Sequence, residues 1–213
     1  MSARRQPARL LWRVAGLLAV AVVLVLALWR PDTGQTPGGH AALPVADTPG
    51  GGDFTLTGPD GIFELAELRG EAVLIYFGYS WCPDACPMSL AVIAQALEAL
   101  SPEEQARTRG LFVSIDPARD TPERLEEYAA FFHPRMIGVS GQPEELAVAG
   151  RHYGAAWYRV EGGTPAAYLI DHTSASYLVD PDGRLAATFP HGTDAARLVE
   201  ATRAVLGAGT MEP

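Results

Sequence analysis

The chain of 213 residues contains two thiols, Cys82 and Cys86, separated by three residues in the run Trp81-Cys82-Pro83-Asp84-Ala85-Cys86-Pro87. A pair at this spacing can hold a soft metal, cycle with a disulfide, or serve as two small packed hydrophobes. A purely structural bridge is the weakest of these, because on the loop-entropy account a loop this short gains least from closure. The neighbouring residues set the chemistry further. Ala72 to Phe77 is an unbroken apolar and aromatic run, which predicts a central strand covered on both faces. Leu90, Ile93 and Leu97 recur at helical spacing and predict a helix from about Pro87 to about Leu100, with Pro87 at the first helical position. Cys82 then falls on a turn and Cys86 at a helix start. Unpaired N–H groups and the positive end of the helix dipole favour a thiolate there, so at least one cysteine is expected to have a lowered pKa.

Further strands and helices determine what can face these sulfurs. Asp53 to Thr57 and Ile62 to Leu65 flank the turn Gly58-Pro59-Asp60-Gly61 and predict a hairpin. Gly110 to Asp116 reads as a second buried strand, followed by a helix capped by Thr121 with Pro122 at its first position and ending at His133-Pro134. A short strand over Met136 to Val139 and a helix over Pro143 to Tyr153 come next. Ala166 to Ile170, Ser176 to Val179 and Leu185 to Phe189 read as strands, the last two joined at Asp180-Pro181-Asp182-Gly183. Thr193 or Asp194 caps a final helix to about Leu206. This order implies an α/β fold with a mixed sheet and helices on both faces. Chemistry in such sheets gathers where parallel strands end. The cysteine turn and the Asp116-Pro117 turn should therefore share an edge, and an antiparallel hairpin strand starting there brings the loop Asp171-His172-Thr173-Ser174 beside the cysteines. Of the five histidines, His172 is thereby set apart. His40 lies in a linker, His133 and His152 sit at helix ends where a cation suits the dipole, and His191 follows a proline at a bend.

Two thiolates and an imidazole form a soft site of low coordination, which suits Cu(I) and leaves room for Cu(II) with an added oxygen ligand. Structural zinc takes four protein ligands, and no further cysteine or paired histidine supplies the fourth. Copper is the better metal on these grounds. The same pair without metal could be redox-active and cycle with a disulfide, as in thioredoxin-like oxidoreductases, and spacing alone leaves both open.

The N-terminal segment carries Arg4, Arg5, Arg9 and Arg13 with no acid, and Val14 to Trp29 contains no charge. With Leu10 to Trp12 and a snorkelling Arg13 it approaches the ~20 residues of a spanning helix. Residues 1–30 are expected to be a cytoplasmic stub and single-pass transmembrane anchor in the inner membrane, with the N-terminus cytoplasmic and the remainder periplasmic or otherwise extracytoplasmic. A cleaved signal peptide is the rival. Residues 31–52 are rich in Gly, Pro, Thr and Ala and read as a flexible tether, residues 53–208 as one domain, and 209–213 as a tail. The net charge is −9, and all 16 basic residues are arginine, so Schiff-base and other lysine chemistry is excluded. Beyond position 30, 11 arginines stand against 25 acids, a net of −14, which disfavours nucleic acid as a partner. In an oxidising compartment a cysteine pair persists as a disulfide, holds a metal, or is kept reduced by a thiol reductant.

Three blocks carry a resemblance to a known family: Phe77-Gly78-Tyr79-Ser80-Trp81-Cys82-Pro83-Asp84-Ala85-Cys86-Pro87, Val113-Ser114-Ile115-Asp116-Pro117-Ala118-Arg119-Asp120-Thr121-Pro122, and Asp171-His172-Thr173-Ser174 ahead of Val179-Asp180-Pro181-Asp182-Gly183. In this order the chain resembles the Sco/SenC family, membrane-tethered thioredoxin-fold copper proteins that help assemble cytochrome c oxidase. The resemblance implies a thioredoxin-like domain, with Cys82, Cys86 and His172 as copper ligands. It also implies a metallochaperone in place of an enzyme, passing copper to the dinuclear centre of oxidase subunit II or a similar acceptor. By the same resemblance Asp171 and the Asp116 turn shape the site or the docking face. Ser80 stands where the family usually has threonine, and Trp81 is bulkier than common. The alternative is a thiol-disulfide oxidoreductase that keeps the acceptor's copper-binding cysteines reduced, requiring Cys82 and Cys86 but not His172.

Overall fold

A computed structural model describes residues 49–160 and 167–208 of the chain. The expected anchor, the tether up to residue 48 with His40, and the tail after residue 208 lie outside the described residues. Among the described residues no helix is long and apolar enough to cross a membrane.

The hairpin β1 (Thr55–Gly58) and β2 (Gly61–Glu64) leads through a 3₁₀ turn at Leu65–Leu68 into β3 (Ala72–Gly78). Then follow α1 (Ala85–Glu98), a one-turn helix α2 (Pro102–Ala106), β4 (Thr108–Ser114), α3 (Pro122–Phe132), β5 (Met136–Val139) and α4 (Pro143–Tyr153). The C-terminal part contains β6 (Trp157–Arg159), β7 (Ile170–His172), β8 (Ser176–Val179), β9 (Leu185–Phe189) and α5 (Ala195–Ala208). The principal sheet has the order β5-β4-β3-β8-β9, with β3, β4 and β5 parallel and β8 and β9 antiparallel to their neighbours. This is the mixed α/β sheet that the sequence implies. Every residue of β3 is buried, as its apolar run requires of a central strand.

Several boundaries differ from the sequence expectation. Helix α1 begins at Ala85, two residues before Pro87, so the proline sits in the third helical position. Its missing N–H is harmless there, since the first-turn donors have no partner inside the helix. The strand expected over Ala166 to Ile170 is instead β7, and His172 lies on it rather than in a loop. Its register is set by its partner: Trp157 pairs with His172, Tyr158 with Asp171 and Arg159 with Ile170. An apolar run cannot reveal where such a partner ends. The capping helix α2 was not foreseen, although Ser101 and Glu104 form its reciprocal capping box. Asp194 caps α5, accepting from the Arg197 N–H.

The tether is described only from residue 49, and its last glycines lie against the fold. The Gly51 N–H donates to the His152 carbonyl, the Tyr153 hydroxyl donates to the Gly52 carbonyl, and a Cβ on Gly51 would lie 2.8 Å from Leu185.

At the other end of the strands, β3 and β4 finish side by side, and the Ile115 N–H donates to the Gly78 carbonyl. Asp120, which is buried, ties the two following turns together. Its carboxylate accepts from the Ser80 N–H (2.9 Å), the Ser80 hydroxyl (2.5 Å) and the Ser114 hydroxyl (2.5 Å), and pairs with Arg124 at 3.7 Å. Removing it takes the shared acceptor from three donors. Asp120→Ala is expected to lower the unfolding free energy by about 3 kcal/mol, more than a typical surface change, as measured by urea denaturation followed by circular dichroism.

Candidate metal centre

Cys82, Cys86 and His172 come together at the carboxyl edge of the sheet. One ligand atom from each lies within 4.8 Å of the others, and Cys86 Sγ is 3.4 Å from His172 Nε2. Cys82 occupies the turn after β3, its N–H donating to the Tyr79 carbonyl, and is partly exposed. Cys86, in the first turn of α1, is completely buried. Strand β7 supplies the histidine from a separate two-stranded sheet with β6. His172 Nδ1 faces the Thr173 carbonyl at 3.1 Å. A proton on Nδ1 satisfies that carbonyl and leaves the Nε2 lone pair facing the sulfurs, the tautomer a metal ligand needs.

The two thiols have unequal environments. The neighbouring Cys86 thiol favours a Cys82 thiolate most, and the backbone N–H groups of Asp84 and Cys86 add to it. Together these outweigh desolvation and lower the Cys82 pKa to about 3. Cys86 shifts the opposite way, because it neighbours the Cys82 thiolate and is buried. The expectation of one lowered cysteine is met, with the thiolate on the turn and not on the helix residue. The neighbouring thiol contributes more than the backbone N–H groups.

Space for the buried sulfur comes from Gly78. A Cβ there would lie 2.7 Å from Cys86 Sγ and 2.9 Å from a Tyr76 ring carbon. The Tyr76 and Tyr79 rings stand edge-on to His172, each with centroids 6.0 Å away. The Tyr76 hydroxyl is buried beside Ser89, Cys86 and Ser174, and burial raises its pKa well above the usual tyrosine range. Sequence reasoning did not single out these three residues. A glycine closing an otherwise bulky buried strand was the available signal.

Asp116 is buried. It accepts from Arg119 Nε and from the Tyr168 hydroxyl, both at 2.5 Å. Asp171 accepts from the Tyr158 hydroxyl at 2.8 Å, across the hairpin. Trp81, 51% exposed, lies under the guanidinium of Arg124 at 4.6 Å. The other described histidines lie outside the cluster. His133 is buried at the end of α3, where its Nδ1 accepts the Arg135 N–H. Desolvation lowers its pKa, the opposite of the shift that a helix C-terminus favours. His191 Nδ1 is 3.2 Å from the Ser89 hydroxyl in a separate cavity of about 320 Å³ that is also lined by Met88, Val92 and Phe189.

The sequence profile of the SCO1/SenC family matches residues 44–207, a span that includes all three clustered side chains. The chain belongs to the SCO1/SenC family. Among curated SCO1/SenC relatives, the SCO2-like protein of Rickettsia felis is 36% identical over 166 residues, covering 77% of this chain and 80% of its own. The solution structure of apo Sco1 from Thermus thermophilus superposes with a TM-score of 0.69 at 36% identity, covering 77% of this chain and 96% of that one. Bradyrhizobium japonicum ScoI, solved with copper bound, gives a TM-score of 0.66 at 34% identity, covering 73% and 99%. The thioredoxin-like Sco fold expected from the motif blocks is thus the fold of the described SCO1/SenC domain.

The unequal thiols lead to a measurable difference. Cys82 should react with iodoacetamide at a rate that stays nearly flat from about pH 8 to about pH 5, where an ordinary thiol slows roughly tenfold per pH unit, while Cys86 remains unreactive in the folded protein. Peptide-resolved mass spectrometry of the alkylated protein reads both rates.

Proposed function

We propose that this SCO1/SenC protein is a copper chaperone that holds Cu(I) through Cys82, Cys86 and His172 and delivers it during assembly of cytochrome c oxidase, to the dinuclear copper centre of subunit II. The observation that carries this reading is the ligand set: two sulfurs and one imidazole nitrogen within 4.8 Å. That soft donor set matches Cu(I) better than any hard divalent ion and is one ligand short of structural zinc. The copper-bound Bradyrhizobium relative supports the same choice of metal.

As cargo, the ion would meet Cys82 already as thiolate and displace one proton from Cys86. Handing over is ligand exchange without change of oxidation state. The acceptor's soft ligands replace those of the half-exposed turn first, and Cys86 regains its proton as it lets go. The pair must be reduced throughout, because a disulfide offers no thiolate, and a thiol reductant is therefore part of the proposal. So is an N-terminal membrane anchor that holds the domain on the extracytoplasmic side.

A second reading has one specific observation in its favour. A partly exposed thiolate beside a buried protonated thiol is also the arrangement of a nucleophilic and a resolving cysteine, so the protein could reduce the acceptor's cysteines. His172 separates the two readings. Purified full chain, reduced and anaerobic, should hold about one Cu(I) per chain in competition with a chelator, and His172→Ala should weaken it by more than the ~10-fold typical of losing an outer partner. Undiminished copper affinity in His172→Ala, together with unimpaired disulfide exchange, would favour the reductase.

A further inference from the structure

We infer that Arg119 is the positioning residue for His172, locking the hairpin that carries this side chain against the cysteine turn. The inference rests on the copper-site reading above and concerns how its third ligand is held. Among the described residues β7 pairs only with β6, and neither joins the five-stranded sheet. The placement of His172 near Cys86 therefore depends on how the hairpin is fastened to the body of the fold.

Beside the Cys86 Sγ–His172 Nε2 contact itself, hydrogen bonds at Tyr168 and Ile170 fasten the segment leading into β7 to the body of the fold. Arg119 Nη1 donates to the Tyr168 carbonyl at 3.0 Å, the Tyr168 hydroxyl donates to Asp116 Oδ1 at 2.5 Å, and the Ile170 N–H donates to the Tyr79 hydroxyl at 3.2 Å. The first two converge on one ion pair, Arg119 Nε with Asp116 Oδ2 at 2.5 Å. The same guanidinium lies over the Tyr168 ring at 3.6 Å, and 5.6 Å and 5.8 Å from the ring centroids of Tyr79 and Trp81. One side chain thus touches the turn after β4, the segment leading into β7, and two of the residues just before Cys82. Tyr79 in turn stands edge-on to His172. A planar fork that stacks on rings while donating in its plane can make all these contacts at once. A lysine ammonium cannot.

Charge and position predict opposite signs, which makes the inference testable. By Coulomb's law, deleting a cation near the centre should strengthen its hold on a bound copper ion. Loss of positioning should weaken it. In the full chain, Arg119→Met is expected to weaken Cu(I) binding by ~10-fold, with Arg119→Lys recovering only part of the loss and Tyr168→Phe shifting affinity the same way by less. In a His172→Ala background the Arg119→Met effect should shrink to about twofold or less, because residues acting through one another are not additive. In metal-free protein, the His172 ring resonances should move in Arg119→Met and Tyr168→Phe. Tyr168→Phe removes a single hydroxyl and carries the test should Arg119→Met not fold. Tighter or unchanged copper binding in Arg119→Met, additive effects in the double variant, or His172 resonances unmoved in both single variants would overturn the inference. Should His172→Ala itself leave copper binding intact, the copper reading fails, and the metal-free resonances still decide the role of Arg119.

Discussion

The parallel pairing of β3 with β4 is the constraint on which the rest of this structure depends. Both strands end at the same edge, where the Ile115 N–H reaches the Gly78 carbonyl. Their two following turns are therefore neighbours, and each carries part of the centre: the cysteines on one, the Asp116 to Asp120 network on the other. A buried carboxylate needs donors, and Asp120 finds them in Ser80 and Ser114, one at the end of each strand or just beyond it. The burial that makes the sheet edge stable also makes the cysteine turn rigid.

Rigidity on one side contrasts with attachment by side chains on the other. Cys82 and Cys86 are placed by main-chain structure, a turn and a helix that follow from a fully buried strand. His172 is placed by a small sheet whose fastenings are a guanidinium, two phenols and a carboxylate. These are hydrogen bonds and ring contacts of moderate individual strength, so the cluster has two ligands of fixed position and one whose position depends on a network. The unequal thiols repeat the asymmetry at the level of protons, with charge on the partly exposed sulfur and the proton on the buried one.

Much of this was legible in the sequence wherever the signal is local. The apolar run of β3, the helical spacing in α1, the Thr121-Pro122 cap and the turn at Asp180 to Gly183 each depend on residues a few positions apart, and the structure has those elements. Strand order alone was enough to bring His172 to the cysteines, because an antiparallel strand beside β3 must begin where β3 ends. What escaped depends on contacts through space. The extent of β7 is fixed by Trp157 and Arg159 on its partner. Burial of Asp116 depends on Tyr168, 52 residues away. The need for Gly78 arises from the sulfur of Cys86 on a different element. Arg119, three residues on, was available in the sequence as a partner for Asp116, whereas Tyr168 was not.

The glycines at 51 and 52 have a mechanical meaning. Gly51 lies against Leu185, the first residue of β9, which is related to β3 by two antiparallel steps and so runs in the same direction. Its other partner, His152, belongs to the last turn of α4, which returns from the carboxyl edge of the sheet. The polypeptide therefore enters the domain at the edge where β3, β4 and β9 begin, and the sulfurs and imidazole sit where β3 and β4 end. Residues 51 and 52 are thus fastened at the back of the sheet, opposite the edge that presents Cys82.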